Sequence, residues 1–468
     1  MSTRIAIFLG VAWVICLSVF TLYPWGAAYA QAESIPADTL NTSVPPLAEK
    51  HPDDSGRRYI TVERAFTLAL QHNPDLETFA GTIEARTHEM HQSGRLPNPE
   101  LEFELENFGG SGDFSGTSNA ETSVRLQQRA ELGGKRQRRV NLARGALKQE
   151  EARTRAYTTE LRARVRTRAI VLAQAQQRLQ LTLKQKQLSH TLLSMVRERI
   201  DAGKAADMEQ IAFKIRLSEM QLKTKEARIE LKRAKHALAA LWGESSPTFD
   251  AVALDLKALP PRCEIADLYP SLERTPASDL ARNKTRQTLE EVRLERARRI
   301  PDLNLSMGVK EERGSGDHAL IAGIGMEIPI FDRNQDGVAA ARARQHQTEA
   351  ALHAVIMEQR HQLREVWHAL ESAREKERRL RTEILPAAQE QFEAVTYAYR
   401  AGKHTYERVL DAQQNLFEMR QRHIAALGDI QRKHVELQRI CADPDSAHTG
   451  INHEPASALA SVTDNGDR

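Results

Sequence analysis

Sixteen histidines, three cysteines and a dense run of arginines are the residues of this chain with the most obvious capacity for chemistry. His88-Glu89-Met90-His91 sets two imidazoles at i and i+3 on one helical face, the spacing of a divalent-metal pair. No third or fourth ligand lies near in sequence, so a solvated helix face fits better than a resident metal centre. His51, His448 and His453 fall in polar end segments, where any ion capture would be weak and unspecific. Gly109-Gly110-Ser111-Gly112 has no phosphate-loop helix behind it and reads as a turn. G-x-S-x-G, H-E-x-x-H and C-x-x-C are absent, so neither enzyme activity nor a cofactor is expected. Arg162, Arg164, Arg166 and Arg168 suggest a nucleic-acid helix only in isolation. The 66 Lys+Arg are balanced by 63 Asp+Glu in intermixed order, and without a standing basic field the run reads as a charged coiled-coil face with no nucleic-acid partner.

The N-terminus carries Arg4, an apolar run from Ile5 to Phe20, a Pro24-Trp25-Gly26 break and Ala28-Tyr29-Ala30. This is the pattern of a secretory signal over residues 1–30, cleaved after Ala30, in preference to an uncleaved anchor. Cys16 follows Ile15, not a small residue, and Gln31 would begin the mature chain, so no lipidated cysteine is expected. Cys263 and Cys441 remain as one pair in an oxidising compartment, and their separation along the chain leaves open whether they meet. Beyond the signal no apolar run reaches the roughly 18 residues of a membrane helix, which excludes a helical membrane protein.

The elements that must position all other residues are long helices and short alternating strands. Aromatic residues are only 5%, and Ala, Leu, Glu, Gln, Arg and Lys dominate the middle of the chain, as in coiled coils. Residues 31–59 read as a flexible lead-in. A helix follows with Thr61 as N-cap and Val62, Ala65, Phe66, Ala69 and Leu70 on one face, then a second from about Asp75 to Gly94 after the Asn73-Pro74 break. Strict alternation then predicts strands at about 100–108 and 121–130. Leu101, Phe103, Leu105, Val124 and Leu126 oppose Glu102, Glu104, Glu106, Arg125, Gln127 and Arg129. Beyond Gly133-Gly134 a helical hairpin over 134–242 opens with an unbroken helix from Lys135 to Asp201, about 100 Å long, and turns at Gly203. Its return helix, from Asp207 to about Trp242, carries Ile211, Ile215, Leu217, Leu222, Ile229, Leu238 and Leu241 as apolar positions.

A Pro-rich connector spans 243–272, and the programme then repeats. A helix at 277–299 precedes strands at about 302–310 and 319–330, which put Leu303, Leu305, Met307, Val309, Leu320, Ile324 and Ile328 on one face. A helical hairpin over 336–439 turns at Gly402, with a very long first helix from about Gly337 to Tyr399, and a disordered tail is expected at 442–468. Ala202-Gly203-Lys204 matches Ala401-Gly402-Lys403 at an offset of 199 residues, and Pro99-Glu100-Leu101 matches Pro301-Asp302-Leu303 at 202. Repeats at 60–242 and 273–441 thus stand in tandem.

Strands of about ten residues with one apolar face fit a soluble sandwich or a tilted membrane barrel. Nothing else in the chain is large enough to cover the apolar faces, and four strands cannot close a barrel without forbidden open edges in lipid. A membrane barrel must therefore be shared between chains, with Glu102, Glu104, Glu106, Arg125 and Arg129 lining a wet lumen above a hollow helical tube. Two, three or four chains would satisfy this arithmetic equally.

Against this frame, Arg129-Ala130-Glu131-Leu132-Gly133-Gly134-Lys135-Arg136 with Arg139 resembles the signature of the CzcC-like heavy-metal branch of the TolC-like outer-membrane efflux proteins. Pro329-Ile330-Phe331-Asp332-Arg333-Asn334-Gln335, Ala401-Gly402-Lys403 and Leu410-Asp411-Ala412-Gln413 add to the resemblance, which spans about residues 60–440. It implies a mainly α protein with membrane β: a homotrimer with a twelve-strand outer-membrane barrel in lipid and a periplasmic helical tunnel. It also implies the partners, a periplasmic membrane-fusion adaptor and an inner-membrane RND transporter, and a cargo of divalent heavy-metal cations of the cobalt/zinc/cadmium type.

By the same resemblance Ala202, Gly203, Lys204, Ala401, Gly402 and Lys403 are adaptor-docking tips. The tunnel gate falls on Glu209 and Tyr399, with His404 where the family has arginine, a departure that would loosen the gate as pH rises through the imidazole pKa. The alternatives are a duct for drugs or organic solutes and, from another class, a periplasmic adaptor or coiled-coil scaffold.

Overall fold

The computed structural model describes residues 58–441. The expected signal, almost all of the lead-in and the 442–468 tail lie outside the described residues, as do His51, His448 and His453. Strand β1 (Tyr59–Ile60) leads into α1 (Val62–His72), where the Thr61 hydroxyl accepts the Arg64 N–H at 3.1 Å. Asn73 then caps α2 (Pro74–Ser93), with Pro74 at the first helical position, where a missing N–H costs nothing.

The first strand pair is β2 (Glu100–Glu106) and β3 (Glu121–Ala130). β2 stops short of residue 108 because Asn107 turns into the left-handed region at φ 58°. Next come α3 (Lys135–Asp201) and α4 (Asp207–Ala239), the latter ending in a 3₁₀ turn at Ala240–Trp242. Within the connector, β4 (Ala251–Val252) pairs in parallel with β1, and a one-turn helix α5 (Ile265–Leu268) follows. The second repeat supplies α6 (Pro276–Arg298), β5 (Leu303–Glu312), β6 (His318–Met326), α7 (Gln335–Arg379), α8 (Leu385–Arg400) and α9 (Tyr406–Cys441).

Two expected elements are corrected. β6 ends at Met326, not near 330, because Pro329 has no N–H to give a ladder. The very long helix expected to run to Tyr399 is interrupted by a π-helical turn at Leu380–Ile384, just ahead of Pro386. A proline ring collides with the carbonyl four residues earlier, and the widened turn relieves that collision without ending the helix.

Both strand pairs join in one antiparallel sheet of order β2-β3-β5-β6. Register places Phe103, Val124, Val309 and Leu320 in one row and Leu101, Leu126, Met307 and Ala322 in another, so a single apolar face crosses all four strands. The opposite face carries Glu102, Glu104, Glu106, Glu121, Arg125, Arg129 and Lys310. Among the described residues no element covers the apolar face: Leu101 is 74% exposed, Leu320 79% and Ile324 79%. β2 and β6 are the sheet's two edges.

Apolar burial below the sheet falls in three clusters. One joins α1, α3, α4 and the connector around Leu161, Val165, Leu238 and Trp242. A second lies towards the hairpin turns around Val196, Phe213, Phe392 and Tyr399. The third packs the connector on α7 and α9 around Leu272, Leu363 and Ile430. Among the described residues no helix is long and apolar enough to cross a membrane.

Candidate functional site: hairpin tips, elbow and polar sheet face

Each hairpin ends in the same turn. The Gly203 N–H donates to Ile200 O at 2.8 Å and Lys204 N–H to Arg199 O at 2.8 Å; Gly402 N–H donates to Tyr399 O at 3.0 Å and Lys403 N–H to Ala398 O at 2.8 Å. This paired pattern closes a helix C-terminus and needs a left-handed residue, which Gly203 (φ 67°) and Gly402 (φ 74°) supply. Ala202, Lys204, Ala401 and Lys403 flank them, and all six residues are exposed.

The structure brings together two of the three expected gate residues. The Tyr399 hydroxyl donates to Glu209 Oε2 at 2.5 Å, linking the base of α4 to the end of α8. Tyr399 is 2% exposed and stacks near Phe213, with ring centroids 6.5 Å apart. Burial, and then the neighbouring carboxylate, push its hydroxyl pKa well above the ordinary tyrosine value, so it stays a donor. His404 is exposed and makes no side-chain hydrogen bond or ion pair with the described residues.

A cation from the first hairpin, Arg199, lies against Tyr399. Its guanidinium donates to Tyr399 O at 2.6 Å, Arg400 O at 2.9 Å and Lys204 O at 3.0 Å, and lies 4.5 Å from the Tyr399 ring centroid. One side chain thus satisfies carbonyls at both tips. In the sequence Arg199 is one arginine in a charged coiled coil, and no local signal sets it apart. Farther up, Arg216 donates to Gln414 Oε1 at 2.7 Å and Leu410 O at 3.3 Å, which ties α4 to α9 as well.

The Glu131-Leu132-Gly133-Gly134-Lys135-Arg136 run forms the elbow between β3 and α3. Glu131 binds Arg139 through both carboxylate oxygens, and Arg139 Nε reaches Ser93 O at 3.3 Å. Lys135 Nζ at 2.7 Å and the Leu132 N–H at 3.1 Å both donate to Oδ1 of Asp302, the residue before β5. A side chain at Gly133 (φ 69°) would strike Ile300, its Cβ only 2.8 Å from Ile300 Cδ1. The run therefore locks the exit of one strand pair to the entrance of the other. At the equivalent place in the second repeat, Asn334 (φ 54°) donates from Nδ2 to Glu295 O at 2.9 Å.

On the polar sheet face Arg125 pairs with Glu104 at 2.9 Å and approaches Glu102 at 3.9 Å, while Gln127 donates to Glu102 at 2.6 Å. Lys310 pairs with Glu121 across β3 and β5. Glu106 stands opposite Glu121, and Arg129 opposite Asn304. Away from this face, His88 and His91 meet edge to face with centroids 6.4 Å apart, and no group of three metal-ligating side chains occurs among the described residues. In the arginine run, Arg162 covers Phe66 at 4.7 Å, Arg164 pairs with Glu160 at 3.3 Å and Arg166 donates to Gln438.

Fold and site together define a class: tandem helical hairpins with paired tips, continued by a sheet that is apolar on one side and charged on the other. The chain belongs to the outer membrane efflux protein family, whose model matches residues 65–244 and 268–442. It is 30% identical to the cobalt-zinc-cadmium resistance protein CzcC of Cupriavidus metallidurans over 81% of this chain and 90% of that one. The nickel and cobalt resistance protein CnrC of the same organism is 26% identical over 62% of this chain and 68% of its own length. Two solved structures share the fold: CusC, with TM-score 0.68, 18% identity and coverage of 81% and 91%, and VceC of Vibrio cholerae, with TM-score 0.67, 17% identity and coverage of 82% and 96%. The chain is an outer-membrane efflux protein with a helical tunnel.

Proposed function

We propose that three copies of this chain form the exit duct of a tripartite pump for divalent heavy-metal cations, working with a periplasmic adaptor and an inner-membrane RND transporter. The carrying observation is the four-stranded sheet whose apolar face and two edges, β2 and β6, are left uncovered by the described residues. Unpaired edges are not tolerated in lipid, so β6 of one chain pairs with β2 of the next, and four strands from each of three chains give a closed barrel. Glu102, Glu104, Glu106, Arg125 and Arg129 then face the lumen.

The helices support the same assembly. Met208, Ile211, Ile215, Leu222 and Ile229 recur along one stripe of α4, and each is more than half exposed. The sequence places four of these on the apolar face of a return helix; the structure leaves them outside the chain's own core. A neighbouring copy covers them, as a heptad seam requires. The six tip residues form the adaptor-docking end, and Tyr399, Glu209 and Arg199 form the latch that holds it shut.

The metal cargo rests on the likeness to CzcC. A strain lacking this chain tests it: cobalt, zinc and cadmium tolerance falls and returns with the gene. Unchanged metal tolerance combined with accumulation of dyes or solvents would select the organic-solute duct instead.

A further inference from the structure

Cys263 and Cys441 come from distant parts of the chain and enter one apolar cluster. Cys441, at the C-terminal end of α9, is 2% exposed among Leu268, Leu272, Leu437 and Ile440, and Cys263 packs against the same group. The connector carrying Cys263 is pinned along its length. Gln431 Nε2 donates to Ala258 O at 2.8 Å, Arg374 Nη2 to Pro261 O at 2.8 Å, and Trp367 Nε1 to Cys263 O at 3.1 Å. The connector carrying Cys263 and the end of α9 carrying Cys441 therefore share one apolar cluster against α7.

We propose that Cys263 and Cys441 form an intramolecular disulfide in the mature protein, stapling the inter-repeat connector to the end of the last helix. The compartment is the second support. The periplasmic face of an outer-membrane protein is oxidising, and an even pair of thiols, one buried and one half-buried in the same cluster, is the composition that pairs there. The reaction is thiol–disulfide exchange with a periplasmic protein oxidant. The two thiols give up two protons and two electrons, one Sγ–Sγ bond forms, and the oxidant's S–S bond is cleaved to two thiols.

Exchange precedes full burial. In the folded chain burial pushes the Cys441 thiol up to about 11, leaving little thiolate to attack a disulfide. The bond closes a loop of 179 residues, from 263 to 441, that contains the whole second repeat with β5, β6 and the second tip. A cross-link over so long a loop strongly restricts the unfolded chain.

The test is a trapped-thiol peptide map. Full-length protein is extracted from outer membranes directly into denaturant with an alkylating agent and digested without reduction. The expected result is a linked pair of peptides containing Cys263 and Cys441, neither alkylated, with the intact chain about 2 Da lighter than after reduction. In cells lacking the periplasmic thiol oxidant the same map shows two alkylated cysteines. Alkylation of both in wild-type cells overturns the staple, and so does a soft metal released on chelation with both thiols then alkylatable. The cargo of the duct does not enter this test, so a failed metal-tolerance experiment leaves it standing.

Discussion

Tyr399 and Glu209, 190 residues apart, meet at 2.5 Å through a buried phenol and a half-buried carboxylate, so the two hairpins are joined just above their tips. Arg199 stacks on the phenol and caps carbonyls of both turns. Removing the hydroxyl in Tyr399→Phe deletes one hydrogen bond to a charged group, about 1.5–3 kcal/mol. Arg199→Ala strips the donor from three carbonyls and is expected to loosen the tip at least as much. Both variants should raise single-channel conductance in planar bilayers and sensitise cells to a bulky hydrophilic antibiotic.

In the proposed latch the pH response is assigned to Tyr399. Its raised pKa means that the hydroxyl's contribution is complete below the ordinary tyrosine value of about 10 and is lost as pH rises through the raised one. Conductance should therefore be flat from about pH 6 to 9 and climb only in strong alkali. His404→Ala should leave that profile unchanged. A step near neutral pH that disappears in this variant would favour the histidine gate expected from the sequence over Tyr399.

The elbow makes a separate prediction. Asp302→Ala removes the acceptor shared by Lys135 and the Leu132 N–H, leaving a mostly buried ammonium without its partner. A loss of about 1–3 kcal/mol is expected. Heat-dissociation of the assembled protein should shift downward for Asp302→Ala and much less for Asp302→Asn, which keeps an acceptor oxygen.

Much of this architecture is legible in the sequence because its periods are strict. Glu102, Glu104 and Glu106 alternate with Leu101, Phe103 and Leu105 without an exception, and β3 and α3 run where alternation and helical period place them. Gly203 and Gly402 mark turns that only a left-handed residue closes well. What escaped is long-range or geometric. Arg199 acts across 200 residues on the Tyr399 carbonyl, and Asp302 is an ordinary aspartate until the fold brings Lys135 to it. Pro386 invites a helix break by its chemistry, yet the π turn keeps the helix going. Apolar spacing on α4 reveals a seam but not which chain fills it.

That seam can be broken alone. Ile215→Asp puts a charge in the middle of the exposed stripe, where the isolated chain tolerates it but a neighbouring helix does not. Assembly should fail in chemical cross-linking while far-ultraviolet circular dichroism of the extracted protein keeps its helical signal. Glu219→Ala on the same helix, half-exposed and paired with Arg216 at 2.8 Å, should assemble normally.

The most direct test of the shared barrel is native mass analysis of the detergent-extracted outer-membrane protein, with and without heating. Three chains per particle, with a compact species that unfolds to slower gel mobility on boiling, is the predicted result. A monomer that stays in solution without detergent and shows no heat-dependent mobility would contradict it, because the apolar sheet face and the β2 and β6 edges would then have to be covered within one chain.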